Sequence, residues 1–309
     1  MRLISATTHG LQSRDLSQQM HLEKQSGCKV NLLLNILGRR DDGFHALETV
    51  MHPVPLYDRL TITTAEKGIS LTCNDPALPT DSRNLVYQAA SRYLETVRID
   101  AGLRLDLQKR IPLSAGLGGG SANAATTLLA LNEMFGSPLG QGELQQLAAA
   151  LGSDVPFFLQ SKPALATGRG EQIQPLQPFV ALRGSYLLLI HPGFGIPTAW
   201  AYGQLPRFPE ALTGNTGSAE KLISILQQPN LPNVRAALYN SLEAPVFEKY
   251  PLLALFKEFL LENGADAALM SGSGSSTFAI VRDKAKAEEL GERFKARFGA
   301  RNWQTIVPA

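Results

Sequence analysis

The sequence predicts an α+β protein of two domains, and three observations support this. Segments with strand periodicity and segments with helix periodicity alternate without a regular strand–helix–strand repeat, which favours α+β over a doubly wound sheet. The pattern restarts near residue 180 with a strongly apolar strand. The length of 309 residues suits two domains of about 100–200 residues each, and a hydrophobic share of 44 % supplies their cores.

The N-terminal segment differs from the rest of the chain. Residues 1–27 are polar and lack the apolar segment of a secretory signal, so we expect a disordered tail. A weak organellar transit segment and an upstream start error, with Met20 as the true start, are the alternatives. The two domains are then expected at 28–182 and 183–309.

Each element follows from a local pattern. Apolar or alternating runs predict first-domain strands at 30–37, 59–64, 69–73 and 102–108, and one strand or a strand pair at 164–173. Helical spacing predicts first-domain helices at 84–97, with Ser82 as a possible cap, 121–134 and 142–151. The second domain is predicted to have strands at 185–191, 267–271 and 277–281, a loop at 206–218, and helices at 218–227, 233–241, 250–263 and 283–298.

Composition argues against several functional classes. The 29 basic residues nearly balance the 27 acidic ones and form no basic patch, so no nucleic-acid partner is expected. No run of about 18 apolar residues occurs, so no membrane partner is expected either. Cys28 and Cys73 lack partners at metal spacing, and reduced thiols fit a cytoplasmic protein. A monomer and a homodimer both remain open.

A glycine-rich run before a predicted helix is the most informative segment. Glycines without Cβ let backbone N–H groups wrap a phosphate, and a helix N-terminus favours an anion. The run has neither the lysine of a Walker A loop nor the spacing of a dinucleotide fingerprint. A purely structural helix cap is the alternative. The candidate phosphate-binding residues are Pro112, Leu113, Ser114, Ala115, Gly116, Leu117, Gly118, Gly119, Gly120 and Ser121.

This run resembles the phosphate loop of the GHMP kinases, a family that includes galactokinase, homoserine kinase and mevalonate kinase. The family pattern is Pro-x-x-x-Gly-Leu-Gly-Ser-Ser-Ala. Here Gly119 and Gly120 depart toward glycine, as in the branch that phosphorylates 4-diphosphocytidyl-2-C-methyl-D-erythritol in non-mevalonate isoprenoid synthesis. Two serines commonly follow the glycines in that branch, whereas this chain has Ser121 and Ala122.

Two further motifs carry the same resemblance in the first domain. Cys28-Lys29-Val30-Asn31-Leu32 matches the Ala-Lys-x-Asn-Leu of the branch, which implies that Lys29 is the catalytic lysine and Asn31 binds substrate. By itself, a lysine at the head of a buried strand could equally extend its ammonium group to solvent. The segment 152–157 matches Gly-x-Asp-Val-Pro-Phe, which implies that Asp154 is the general base; a turn aspartate is the alternative.

The remaining motifs imply a substrate pocket. Gly38–Thr49 matches Gly-x-Arg-x-Asp-Gly-Tyr-His-x-Leu-x-Thr with Phe44 for tyrosine, so Phe44 would stack on cytosine and His45 would recognise the base. Without the resemblance, His45 would be an ordinary structural histidine. The segment after His191 resembles the branch's second-domain start. There Thr198 is a substrate-side position and Tyr202 a second aromatic residue beside the base. Met270–Gly274 matches the third glycine motif, whose Gly272 and Ser273 would close the site; a tight turn is the alternative.

The resemblance runs from about Cys28 to the C-terminus and implies a fold and a reaction. The first domain should resemble domain 2 of ribosomal protein S5, and the second should be ferredoxin-like. ATP and Mg²⁺, the latter held partly through Ser121, would phosphorylate the 2-hydroxyl of the cytidine-diphosphate substrate. Another GHMP kinase and a non-catalytic GHMP-fold protein are the rival interpretations. The segment Gly38–Thr49 argues against the first, and Lys29 with Asp154 argues against the second.

Overall fold

The computed structural model describes residues 19–212, 216–229 and 234–309 as two β-sheets with helices packed on them. The strands are β1 (His21–Arg39), β2 (His45–Ala65), β3 (Ile69–Cys73), β4 (Gly102–Gln108), β5 (Ala164–Thr167), β6 (Gln172–Pro175), β7 (Tyr186–His191), β8 (Tyr239–Asn240), β9 (Ala267–Met270), β10 (Thr277–Val281) and β11 (Trp303–Pro308). The helices are α1 (Leu85–Val97), α2 (Gly119–Met134), α3 (Gln141–Leu151), α4 (Thr198–Gln204), α5 (Ser218–Leu226), α6 (Val234–Ala237), α7 (Glu243–Lys249), α8 (Pro251–Glu262) and α9 (Lys284–Phe298). Within these ranges, no helix is long and apolar enough to cross a bilayer.

The first sheet is built on a long antiparallel hairpin of β1 and β2. Its strand order is β3-β4-β2-β1-β8, and β5 with β6 extends it from β2. Helices α1, α2 and α3 bury apolar residues such as Tyr93, Leu128 and Ala148 against strands that contribute Leu60 and Leu105. Because side chains alternate along a strand, Lys29 and Asn31 lie on the same face of β1.

The second sheet has the strand order β11-β7-β10-β9, and all its neighbouring pairs are antiparallel. Numbered along the chain as four strands, this is the order 4-1-3-2, with helices between the first and second and between the third and fourth strands. That topology is the ferredoxin-like one predicted above. Phe256 of α8 and Phe294 of α9 pack edge to face with ring centroids 4.7 Å apart.

The two halves share apolar packing and a strand pairing. One buried cluster joins Val30 and Val50 of the first sheet to Leu187 and Leu269 of the second. The short strand β8, from the second half of the chain, pairs in parallel with Leu33 and Leu34 of β1. The boundary expected near residue 182 lies between the two sheets except for β8, which comes after that residue and belongs to the first sheet.

Several predicted boundaries need correction. The predicted tail 1–27 is too long, because residues 21–26 pair with β2; residues 1–18 lie outside the described residues. Helix α2 begins at Gly119 rather than Ser121, with Gly118 in the left-handed conformation before it. Helix α1 is capped by Asn84, not Ser82, since the Asn84 side chain accepts a hydrogen bond from the Val86 N–H. The helix predicted over 233–241 ends at Ala237, where the chain turns into β8.

Candidate active site

A cleft of about 1200 Å³ lies where the glycine loop, β1 and the second sheet meet. Every catalytic, phosphate-binding and substrate-binding candidate named from the sequence lines this cleft. The structure therefore gathers residues from motifs that lie up to about 240 positions apart in the chain, as Lys29 and Ser273 do.

The glycine loop is shaped by close approach of backbone to backbone. Gly116 has a φ of +74°, and a Cβ on it would lie 2.0 Å from the Ser271 carbonyl oxygen, so only glycine fits. Gly118 has a φ of +71° and no side chain caps the helix that follows it. The first N–H groups of α2, at Gly119, Gly120 and Ser121, precede the helix hydrogen bond from Ala122 to Gly118. Free N–H groups at a helix start are the arrangement that favours an anion, and these residues line the cleft.

Lys29 is a buried ammonium group at the centre of the cleft. Its side chain is 3 % exposed, and its Nζ donates to Asn31 Oδ1 and, at 3.1 Å, to the Gly116 carbonyl. Asp154 Oδ2 lies 3.5 Å away, with a side chain 40 % exposed. Asp154 stands between α3 and a 3₁₀ turn at Val155–Leu159, where the chain reverses. The ion pair therefore joins a buried ammonium group to a carboxylate that is accessible from the cleft.

The third glycine motif, Met270–Gly274, and Ser276 after it contact the glycine loop. Ser271 Oγ donates to the Gly116 carbonyl at 2.9 Å, and the Ser276 N–H donates to the Ala115 carbonyl at 3.1 Å. Asn240 of β8 holds this turn from behind, since its side-chain amide donates to the carbonyls of Met270 and Gly272, each at 2.8 Å. Lys29, the glycine loop and this turn thus form one hydrogen-bonded unit.

An aromatic corner occupies another part of the cleft. The rings of His45 and Tyr202 have centroids 5.3 Å apart, and Phe44 is 49 % exposed with the Arg169 guanidinium 4.8 Å over its ring. Burial, with a contribution from Arg39, holds the pKa of His45 below its ordinary value, so its imidazole is neutral at pH 7. Burial and the nearby Asp154 charge raise the pKa of Tyr202, which stays a neutral phenol.

Comparison with known proteins now identifies the family. The profile described as GHMP kinases N terminal domain matches residues 84–162, and that described as GHMP kinases C terminal matches residues 216–300. A 4-diphosphocytidyl-2-C-methyl-D-erythritol kinase of Clostridium botulinum (strain Loch Maree / Type A3) is 38 % identical over 271 residues, which are 88 % of this chain and 95 % of that protein. The chain belongs to this kinase family.

Solved structures agree with the 4-diphosphocytidyl-2-C-methyl-D-erythritol kinase family. A crystal structure of 4-(cytidine 5'-diphospho)-2C-methyl-D-erythritol kinase is 35 % identical in sequence and has a TM-score of 0.77. The match covers 93 % of this chain and 100 % of that one. A homoserine kinase from Cytophaga hutchinsonii has a TM-score of 0.74 and is 22 % identical in sequence, and the match covers 96 % of this chain and 97 % of that one. At this identity the likeness shows a common fold alone. The α+β GHMP fold and the enzyme class predicted from the sequence are confirmed.

Sequence reasoning missed several polar residues of the cleft. Lys109 and Asn123 flank the glycine loop, and Arg169 covers Phe44. Lys109 could have been found from the sequence, because the basic pair Lys109-Arg110 lies just before the proposed phosphate loop, which begins at Pro112. Neither Asn123, inside an Ala-rich helix, nor Arg169, in a turn between two short strands, carries a pattern of its own.

Proposed function

We propose that this kinase transfers the γ-phosphoryl group of ATP to the 2-hydroxyl of 4-diphosphocytidyl-2-C-methyl-D-erythritol. This is a step of non-mevalonate isoprenoid precursor synthesis, in the cytoplasm. The observation that carries the proposal is one cleft that joins an anion-binding helix start, a buried lysine–aspartate pair and an aromatic corner. Reduced Cys28 and Cys73 are in keeping with that compartment.

The glycine loop provides the ATP phosphate site. The N–H groups that open α2 have no helix partners, and the glycines let phosphate oxygens approach them. Fixed dipoles in a cleft stabilise charge that develops on the phosphoryl oxygens without reorganising during the reaction. The loop residues 112–121 therefore bind and orient the donor.

Lys29 and Asp154 perform the transfer chemistry. The acceptor oxygen attacks the γ-phosphorus, the bond to the β–γ bridging oxygen breaks, and ADP leaves. Asp154, whose carboxylate faces open space, accepts the hydroxyl proton. Lys29 is held by Asn31 and the Gly116 carbonyl, so its ammonium group orients Asp154 and stabilises the nucleophilic oxygen.

The aromatic corner selects the cytidine substrate. Phe44 offers an exposed ring face for stacking, with Tyr202 on the other side of the base. Neutral His45 has one ring nitrogen that donates and one that accepts, which suits the donor and acceptor edge of cytosine. Thr198 and Ser273, whose hydroxyl oxygens lie 2.9 Å apart, bind the substrate where the two domains meet. Gly272 closes the site beside them.

Mg²⁺ would be held at this site together with the nucleotide. In the described ranges no group of three His, Cys, Asp or Glu side chains could hold a metal ion. Ser121, at the helix start, provides a hydroxyl ligand beside the phosphate site, and Mg²⁺ typically binds through phosphates, water and one or two protein oxygens. When bound there, the ion would neutralise phosphate charge. One subunit contains every residue named above, which a monomer and a homodimer both satisfy.

A coupled ADP-release assay tests the acceptor. Purified protein, ATP and Mg²⁺ are incubated with diphosphocytidyl-methylerythritol, mevalonate, homoserine or galactose in parallel. We expect ADP release with the cytidine compound alone. Release with another acceptor would replace the substrate proposal, and silence with all four acceptors despite ADP binding would favour a non-catalytic protein.

A further inference from the structure

One buried carboxylate outside the catalytic pair contacts both ends of the glycine loop. Asp58 of β2 is fully buried. Its Oδ1 accepts hydrogen bonds from the backbone N–H groups of Arg110 at 2.7 Å and Ile111 at 2.9 Å. These residues lie immediately before the loop begins at Pro112.

The second oxygen of Asp58 binds groups on both sides of the loop. Asp58 Oδ2 accepts a hydrogen bond from Nδ2 of Asn123, the fifth residue of α2, at 3.0 Å and forms an ion pair with Lys109. Asn123 Oδ1 in turn accepts from Lys109 Nζ at 3.1 Å, and Asn123 Nδ2 also donates to Ser26 Oγ at 2.9 Å. One carboxylate thus ties the strand end at 109–111 to the helix start.

The charge balance explains why a carboxylate occupies this position. Lys109 Nζ would lie 3.2 Å from a Cβ on Gly119, so a cation sits beside the partly positive N-terminus of α2. Lys109 is 4 % exposed, and an unpaired buried ammonium group is costly. The carboxylate of Asp58 offsets this positive charge. All four groups that donate to its two oxygens belong to residues on either side of the glycine loop.

We propose that Asp58 is a positioning residue that sets the spacing between the two flanks of the phosphate loop and thereby the affinity for ATP phosphates. This inference rests on the proposed ATP site in the glycine loop. Asp58 is not among the residues that line the cleft and acts through Arg110, Ile111, Lys109 and Asn123, of which Lys109 and Asn123 do line it. A buried carboxylate that merely stabilised the fold would leave nucleotide affinity unchanged once the protein is folded.

The test variant is Asp58→Asn. An asparagine that keeps the two backbone hydrogen bonds on its oxygen turns its NH₂ group toward the donors of Lys109 and Asn123, so the helix flank is released. The dissociation constant of ADP with Mg²⁺ is measured by titration calorimetry, and the KM of the acceptor is measured at saturating ATP. We expect the ADP dissociation constant to rise about tenfold while the acceptor KM stays within about twofold.

A matched control separates positioning from stability. Glu48 is also a buried carboxylate, and it accepts hydrogen bonds from the N–H groups of Ser218 at 3.0 Å and Ala219 at 3.2 Å, away from the loop. Glu48→Gln should lower the unfolding temperature without changing ADP affinity. If Asp58→Asn likewise lowers only the unfolding temperature, or if its ADP binding is unchanged or tighter, the proposal is wrong.

A second variant keeps the test decisive if Asp58→Asn does not fold. Asn123→Ala leaves the Asp58–Lys109 pair and removes only the link to α2. The Asn123 side chain bonds Asp58, Ser26 and Lys109, so its removal breaks the connection between α2 and the segment 109–111. Weaker ADP binding by this variant supports the positioning role of Asp58, and unchanged ADP binding overturns it. Failure of the wild type to phosphorylate the cytidine compound would reject the acceptor assignment and leave the ADP result intact.

Discussion

The general-base assignment predicts a specific pattern for Asp154→Asn. The amide keeps the shape of the side chain but does not accept the hydroxyl proton. Removal of a general base typically costs about 10²–10⁴-fold in rate, which corresponds to about 3–5 kcal/mol of barrier. The ion pair of Asp154 is with Lys29, which donates to the Gly116 carbonyl of the loop and keeps that bond in the variant, so the ADP dissociation constant should stay within about twofold.

The stability cost of the same change should be small. Asp154 lies 3.5 Å from Lys29 Nζ, but its side chain is 40 % exposed, so solvent screens the pair. Lys29 also keeps its bonds to Asn31 and Gly116. We expect a loss of about 1 kcal/mol or less in the free energy of unfolding, instead of the several kcal/mol typical of a fully buried pair.

Single-turnover phosphoryl transfer and ADP calorimetry on the same preparation provide the assay. The control is Asp266→Asn, which removes a carboxylate paired with Arg282 at 2.9 Å; neither residue lines the cleft. That variant should keep the wild-type rate. Transfer by Asp154→Asn within tenfold of wild type would refute the general-base role, and a parallel loss of ADP affinity would indicate a collapsed site instead.

Three other substitutions probe separate parts of the account. Gly116→Ala should abolish measurable ADP binding in calorimetry, because the new Cβ would lie 2.0 Å from the Ser271 carbonyl; wild-type affinity would contradict this loop geometry. Phe44→Ala should raise the acceptor KM at least tenfold with the ATP KM unchanged, and an unchanged acceptor KM would remove the stacking role. Burial lowers the pKa of His52 from 6.5 to about 4, so the folded state loses up to about 3 kcal/mol of stability as pH falls from 6.5 to 4. His52→Phe should flatten that loss in urea unfolding measured across this pH range, and an equally steep loss would exclude His52 as its source.

Local patterns predicted the elements and motifs that carry their own signal. The start of β2 was missed because Pro53 and Pro55 argue against a strand and because residues 47–52 are buried on both faces, which removes the alternation. The start of α2 was predicted two residues late because Gly119 and Gly120 are poor helix formers.

Family motifs named residues that the structure brings together in one cleft, and the roles assigned to those residues stay predictions. Lys29, Asp154 and the third glycine motif were found through ordered motifs, although no spacing rule connects them. Asp58 and Asn240 were not found, because each acts through partners 30 to 65 positions away. Such pairings arise from sheet and loop packing, and a single sequence carries no signal for them.

The position of the transferred phosphoryl group tests the central claim most directly. The product of ATP, Mg²⁺ and diphosphocytidyl-methylerythritol is analysed by phosphorus and carbon NMR after complete turnover. The account predicts one new phosphomonoester on the 2-hydroxyl, with the diphosphate bridge intact and ADP formed in equal amount. A phosphate on another hydroxyl, or ADP formed without any phosphorylated cytidine product, would contradict the arrangement of Lys29, Asp154 and the aromatic corner proposed for this cleft.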